Sequence, residues 1–168
     1  MVQPVHHFDA MALPQLTDLF QSANALLPSE ASACDVVRAT YREAVTNRDG
    51  VAFDRTKLFS ILLRNVRRKR KDWQLLAGRA GKSAAGNDSG EGLLAMMRSM
   101  PLDEAEVVLL RDVQEFTMEE IQRMLGGRID SIHELLKRGR TRLIGDLAYE
   151  NLPLTAAKHS SRGFALPG

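Results

Sequence analysis

Cysteine is almost missing from this 168-residue chain: Cys34 stands alone, so no internal disulfide can form and a reducing compartment fits. Aromatic residues are few, at 5%, and strand-type alternation of apolar and polar residues is nearly absent. Both argue against a β-rich fold and for an all-α one. No apolar run approaches the roughly 20 residues of a membrane span, and the N-terminus lacks a basic segment followed by an apolar one. Neither a membrane span nor a signal peptide is therefore expected, and the cytoplasm is the expected location. The four histidines (His6, His7, His133, His159) and the single cysteine are scattered, with no metal-ligand or nucleophile–base spacing. No catalytic residues, metal, cofactor or small-molecule substrate are expected, and the reading is of a protein that is not an enzyme.

At 44% hydrophobic and 26% charged, the composition is that of an ordinary globular protein, long enough for one domain or two small ones. The net charge of +2 is small, but six of the eight residues from Arg64 to Lys71 are basic, and the residues before them lean acidic. A solvated helix end is the ordinary explanation for such a run. This density, with Trp73 just beyond, points instead to a polyanion such as nucleic acid.

Residues 1–12 show no strong pattern. From Leu13, the residues Leu16, Leu19, Phe20, Ala23, Leu26 and Leu27 recur at helical spacing. Ser29 can cap a second helix to about Thr46, with Val36, Val37, Thr40, Tyr41, Ala44 and Val45 inward. Asn47 to Gly50 is a turn by composition, and Asp54 can cap a third helix carrying Leu58, Phe59, Ile61, Leu62 and Val66 through the basic run to about Leu76. Gly78 to Gly92 holds five glycines and no large apolar residue, which predicts a flexible linker. Its start, Gly78 to Ser83, lacks the spacing of a phosphate-binding loop, and no strand precedes it. Leu93, Leu94, Met96, Met97 and Met100 predict a short apolar helix ended by Pro101. The expected organisation is a helical domain at 13–77, a linker at 78–92, a second helical domain at 93–149 and a frayed tail at 150–168.

The second domain is the most patterned. Thr117 and Glu120 have capping-box spacing, Ile121 and Leu125 share one side of the helix they start, and Gly126-Gly127 supply a sharp turn. Asp130 is a candidate N-cap for a basic helix whose inner stripe is Ile132, Leu136, Gly139 and Leu143. Two short helices about a glycine turn, the second basic, make a helix-turn-helix. The run Leu109-Leu110-Arg111-Asp112-Val113, then Thr117-Met118-Glu119-Glu120-Ile121, Leu125-Gly126 and Lys137-Arg138-Gly139-Arg140-Thr141-Arg142-Leu143 resembles the promoter-reading C-terminal domain of sigma-70 factors, above all the extracytoplasmic-function group. Cys34 to Tyr41 is similar, more weakly, to the helix with which these factors dock on the polymerase clamp. Lys57 to Asn65, with Arg67 to Lys71, is similar to the helix that grips the −10 promoter element.

The resemblance implies an alternative sigma factor that binds core RNA polymerase and directs promoter-specific transcription initiation. It implies polymerase contacts at Asp35, Arg38 and Tyr41, and −10 contacts at Arg64, Asn65, Arg67, Arg68, Lys69, Arg70 and Lys71. It implies −35 contacts at Ser131, His133, Glu134, Lys137, Arg138, Arg140 and Arg142. Core RNA polymerase, promoter DNA and an anti-sigma factor are the implied partners. A second reading stays open. Family members commonly carry Thr-Val-Lys-Ser-Arg where this chain has Ser131 to Leu135, and Gln-Glu where it has Arg38-Ala39. Those changes fit a sigma-like interaction module that binds an anti-sigma factor or other regulator without reading DNA.

Overall fold

The computed structural model describes residues 13–46, 54–80 and 92–150. His6 and His7, the Asn47–Gly50 turn, most of the glycine-rich stretch (81–91) and the tail beyond Glu150 lie outside the described residues. Among the described residues there are seven α-helices and no strand.

A short 3-10 turn leads into α1 (Leu16–Leu26), followed by α2 (Glu30–Thr46) and α3 (Arg55–Ala80). Both expected caps form: Ser29 Oγ accepts from the Ser32 amide at 3.3 Å, and Asp54 Oδ1 from the Lys57 amide at 2.7 Å. The apolar stripes turn inward as their spacing predicts, except at two positions near helix ends, Leu16 and Val45, which stay exposed. Helix α3 reaches Ala80, so the first three residues of the glycine-rich stretch are helical.

The second half holds α4 (Leu93–Ser99), α5 (Leu102–Val108), α6 (Met118–Leu125) and α7 (Ile129–Glu150). In α4 only Met96, Met97 and the following Met100 are buried, whereas Leu93 and Leu94 face outward. The capping box forms in both directions, with Glu120 N–H donating to Thr117 Oγ1 at 3.2 Å and Thr117 N–H to Glu120 Oε2 at 2.8 Å. Gly126 and Gly127 have φ of 75° and 84°, the left-handed conformation that the tight turn needs. Asp130 is not the N-cap. The amides of Ser131 and Ile132 both donate to the Arg128 carbonyl, so α7 starts one residue before Asp130. The carboxylate then lies in the first turn, where it offsets the positive end of the helix.

Helix α7 lies against α5 and α6 along the expected stripe. Gly139 permits the approach: a Cβ there would lie 2.6 Å from Val108 Cγ2 and 3.2 Å from the Glu104 carbonyl oxygen. Gly139→Ala is therefore expected to destabilise the protein by about 1 kcal/mol, overpacking at a stiff valine outweighing the gain in helix propensity. Thermal denaturation followed by circular dichroism checks this; an unchanged or higher midpoint would mean that α5 and α7 can separate freely.

The buried residues of the two halves form one continuous cluster, running from Leu19 and Phe59 to Leu110, Ile121 and Leu136. Helix α1 packs on α4 and α5, and α3 packs on α6. Between α5 and α6 the chain widens into a π turn, Leu109–Val113, in which the Gln114 amide reaches back to the Leu109 carbonyl. Glu115 follows with φ of 57°, a conformation strained for a side chain of its size. This bend turns Gln114 and Phe116 back toward α3. The Arg55 guanidinium stacks over Phe116 and donates to the carbonyl and side-chain oxygens of Gln114 at 2.9 and 2.7 Å.

Candidate nucleic-acid interface

The basic run lies on the second half of α3, where the apolar stripe gives way to charge. A helix turns 100° per residue, so the six cations cannot share a face. Arg68 and Lys71 point outward, with no acid partner among the described residues. Arg64, also exposed, pairs with Glu43 of α2, and Lys69 reaches Asp35 of α2 at 3.2 Å. Asn65 does not belong to the exposed set. It continues the inner stripe and is 6% exposed, its side-chain amide donating to Thr40 Oγ1 at 3.3 Å and Glu43 Oε2 at 3.4 Å.

Arg67 and Arg70 turn to the second half of the chain. Arg67 grips Glu106 of α5 with Nε 3.0 and 3.1 Å from the two carboxylate oxygens and Nη2 2.6 Å from Oε2. The Glu106 side chain is fully buried. Burial pushes its carboxyl above the ordinary carboxylate range, against the pull of the Arg67 guanidinium, which the same hydrogen bonds hold more firmly protonated. Arg70 donates to three backbone carbonyls, of Leu26, Arg98 and Met100, at 3.0 to 3.3 Å. Its half-buried guanidinium is shifted down by lost solvation.

On α7 the outward face carries Ser131, His133, Glu134 and Lys137, all exposed. The later cations lean on acids of the preceding helices. Arg138 and Arg142 bracket Glu104, at 3.5 and 3.2 Å, and Arg140 Nε meets Asp112 at 2.9 Å. Glu104 is itself buried, so these arginines both neutralise it and keep about half of their own surface in solvent (60% for Arg138, 48% for Arg142). Glu134, Lys137, Arg138, Thr141 and Arg142 line one shallow surface groove, and Arg128, Ser131, Glu134, Leu135 and Arg138 line its neighbour.

This helix-turn-helix falls inside residues 91–143, which match the family described as Sigma-70, region 4. The match covers the helix-turn-helix half of the chain and not the residues before it. The matched segment runs from just before α4 to Leu143 in α7. The chain as a whole is similar in fold to the sigma factor RpoE from Bartonella quintana, in a co-crystal structure with the anti-sigma factor NepR. The TM-score is 0.71 at 20% identity, over 84% of this chain and 97% of that one. It is also similar to CnrH in a complex with the cytosolic domain of CnrY, with a TM-score of 0.68 at 20% identity, over 88% of this chain and 91% of that one. None of the curated proteins matches the sequence. No helix among the described residues is long and apolar enough to cross a membrane.

Of the expected polymerase contacts, Asp35 and Arg38 lie on the exposed face of α2, paired with each other at 3.7 Å. Tyr41 is partly buried, which raises its phenol pKa. Sequence reasoning missed the acids that engage the cations. Glu106 did leave a signal: four residues after Leu102 and three and four before Leu109 and Leu110, it falls at helical spacing where an apolar residue belongs.

Proposed function

We propose that this protein is an alternative sigma factor of the extracytoplasmic-function group, acting in the cytoplasm. It binds core RNA polymerase and directs initiation at promoters through −10 and −35 recognition, while catalysis belongs to the polymerase. The observation that carries this reading is the region 4 helix-turn-helix, with Ser131, His133, Glu134 and Lys137 exposed on its second helix. Residues near the start of such a helix are placed to read base edges, and the later cations to meet phosphates. The domain at 13–77 would act as region 2, with Arg64, Arg68 and Lys71 outward on α3. Residues 78–92 would serve as its tether to the domain at 93–149. An anti-sigma factor is the natural regulatory partner, since both similar structures are complexes, one with an anti-sigma factor and one with the cytosolic domain of CnrY.

Run-off transcription with purified core polymerase on genomic fragments tests the proposal; discrete transcripts are expected. Asp35→Lys, which reverses charge on the exposed face of α2, should reduce co-purification with core polymerase, and undiminished recovery would move the docking site elsewhere. One observation favours the second reading, an interaction module that does not read DNA: several cations of both clusters already have acid or carbonyl partners within the chain. Absence of transcripts from folded protein that still captures a regulator would select it.

A further inference from the structure

Three acids around the start and the inner side of α7 are matched by cations. Asp130 pairs with Arg128 at 3.5 Å, Glu104 with Arg138 and Arg142, and Asp112 with Arg140. Glu134 differs from them. It is exposed, in the second turn of a helix that begins at Ile129, and it meets no hydrogen-bond or ion-pair partner among the described residues. Arg138 stands four residues on, at the spacing of a helical ion pair, yet it leans the other way onto Glu104. Glu134 also holds a central place on the outward face, since it and Arg138 line both shallow grooves.

We propose that Glu134 sets the base preference of α7, by accepting a hydrogen bond from the N4 amino group of a cytosine in the major groove. The proposal rests on the reading of α7 as a DNA-reading helix and names the base that it selects. An ionised carboxylate is an acceptor only, and among phosphates it is repelled. It becomes favourable where the groove offers a donor. Guanine presents N7 and O6, both acceptors, and thymine presents the O4 acceptor and a methyl group. Adenine has an N6 amino group, but its N7 acceptor lies beside it and opposes the second carboxylate oxygen. Cytosine presents a donor with no acceptor of its own alongside. The early turns of such a helix enter the groove, which places Glu134 at base edges and leaves the half-exposed Arg138 and Arg142 for phosphates. Lys137, exposed and one turn on, supplies a donor for the guanine paired with that cytosine.

The test is selection of duplexes from a randomised library by the full chain, by Glu134→Gln and by Glu134→Ala, read by sequencing. Fluorescence anisotropy on the selected duplex and on a mixed-sequence duplex then gives affinities. Because Glu134 is exposed and without a partner, both variants should fold, and circular dichroism verifies this. The wild type should enrich a motif with one strongly preferred C·G pair, and thymine in place of that cytosine should weaken binding by roughly 5- to 150-fold. Glu134→Gln should move the preference at that one position to adenine, whose N6 and N7 match a glutamine amide, and Glu134→Ala should abolish it. Both variants should hold the mixed-sequence duplex more tightly, because a repulsive charge is gone. That gain alone, with the wild-type motif unchanged in both variants, overturns the proposal and leaves α7 as a DNA-reading helix. A shift in preference at a base other than cytosine overturns it equally. A wild-type protein that enriches no motif would sink the DNA-reading role of α7 and the proposal together.

Discussion

Replacing Arg67 with methionine is expected to lower stability by roughly 2 to 3 kcal/mol. The methionine fills much of the arginine's volume but leaves the Glu106 carboxylate, which has no solvent exposure, without its three hydrogen bonds. Stranding one member of a buried pair costs about 3 to 5 kcal/mol; the lower figure allows for the exposed half of Arg67 and for relief by separation of the halves. For a chain of this size the thermal midpoint should fall by several degrees. The pH dependence has a definite sign. Burial already raises the Glu106 pKa above its ordinary 4.5, and loss of Arg67 raises it further. A raised carboxyl penalises the folded state above its folded pKa, and that penalty vanishes below the unfolded value. The variant should therefore approach the wild type in stability as pH falls toward 4.5, and Arg67→Met with Glu106→Leu should recover most of the loss at neutral pH. A deficit independent of pH would show that Glu106 does not depend on Arg67.

Substituting Arg138, Arg140 and Arg142 together with glutamine should weaken promoter binding by roughly a hundredfold near 0.1 M salt. Three phosphate contacts removed should flatten the slope of log K against log salt by about 2 to 3 units. Because Arg138 and Arg142 also neutralise the buried Glu104, and Arg140 pairs with Asp112, the triple variant belongs in a Glu104→Gln and Asp112→Asn background. That background alone should bind DNA more tightly than wild type, since it releases the three guanidinium groups from their acids. Filter binding or fluorescence anisotropy across a salt series reads both effects. An unchanged slope in the triple variant would remove the second half of α7 from the phosphate contacts.

Much of the fold could be read from sequence because its determinants are local. The Thr117–Glu120 box, the Ser29 and Asp54 caps and the Gly126-Gly127 turn each involve residues within a few positions of one another, so spacing alone specifies them. The stripes of α3 and α7 follow from helical periodicity, and the run from Leu109 to Leu143 held the sigma-70 signature. Asp130 shows the limit of such reading: a good capping residue was present, yet the chain enters α7 one residue earlier, and ordinary variation at helix ends decides between the two.

The site was legible only as a set of residue types. The sequence by itself determined that the basic residues lie on helices, that α7 has a buried and an exposed face, and that a helix-turn-helix is built from α6 and α7. It could not determine which cations are free. Arg67 and Arg68 are adjacent and chemically alike, but the first meets Glu106, 39 positions away, and the second meets solvent. Helical periodicity sets the direction of a side chain relative to its own axis. What waits in that direction depends on how whole helices pack, and that packing is set by the combined core rather than by any local pattern.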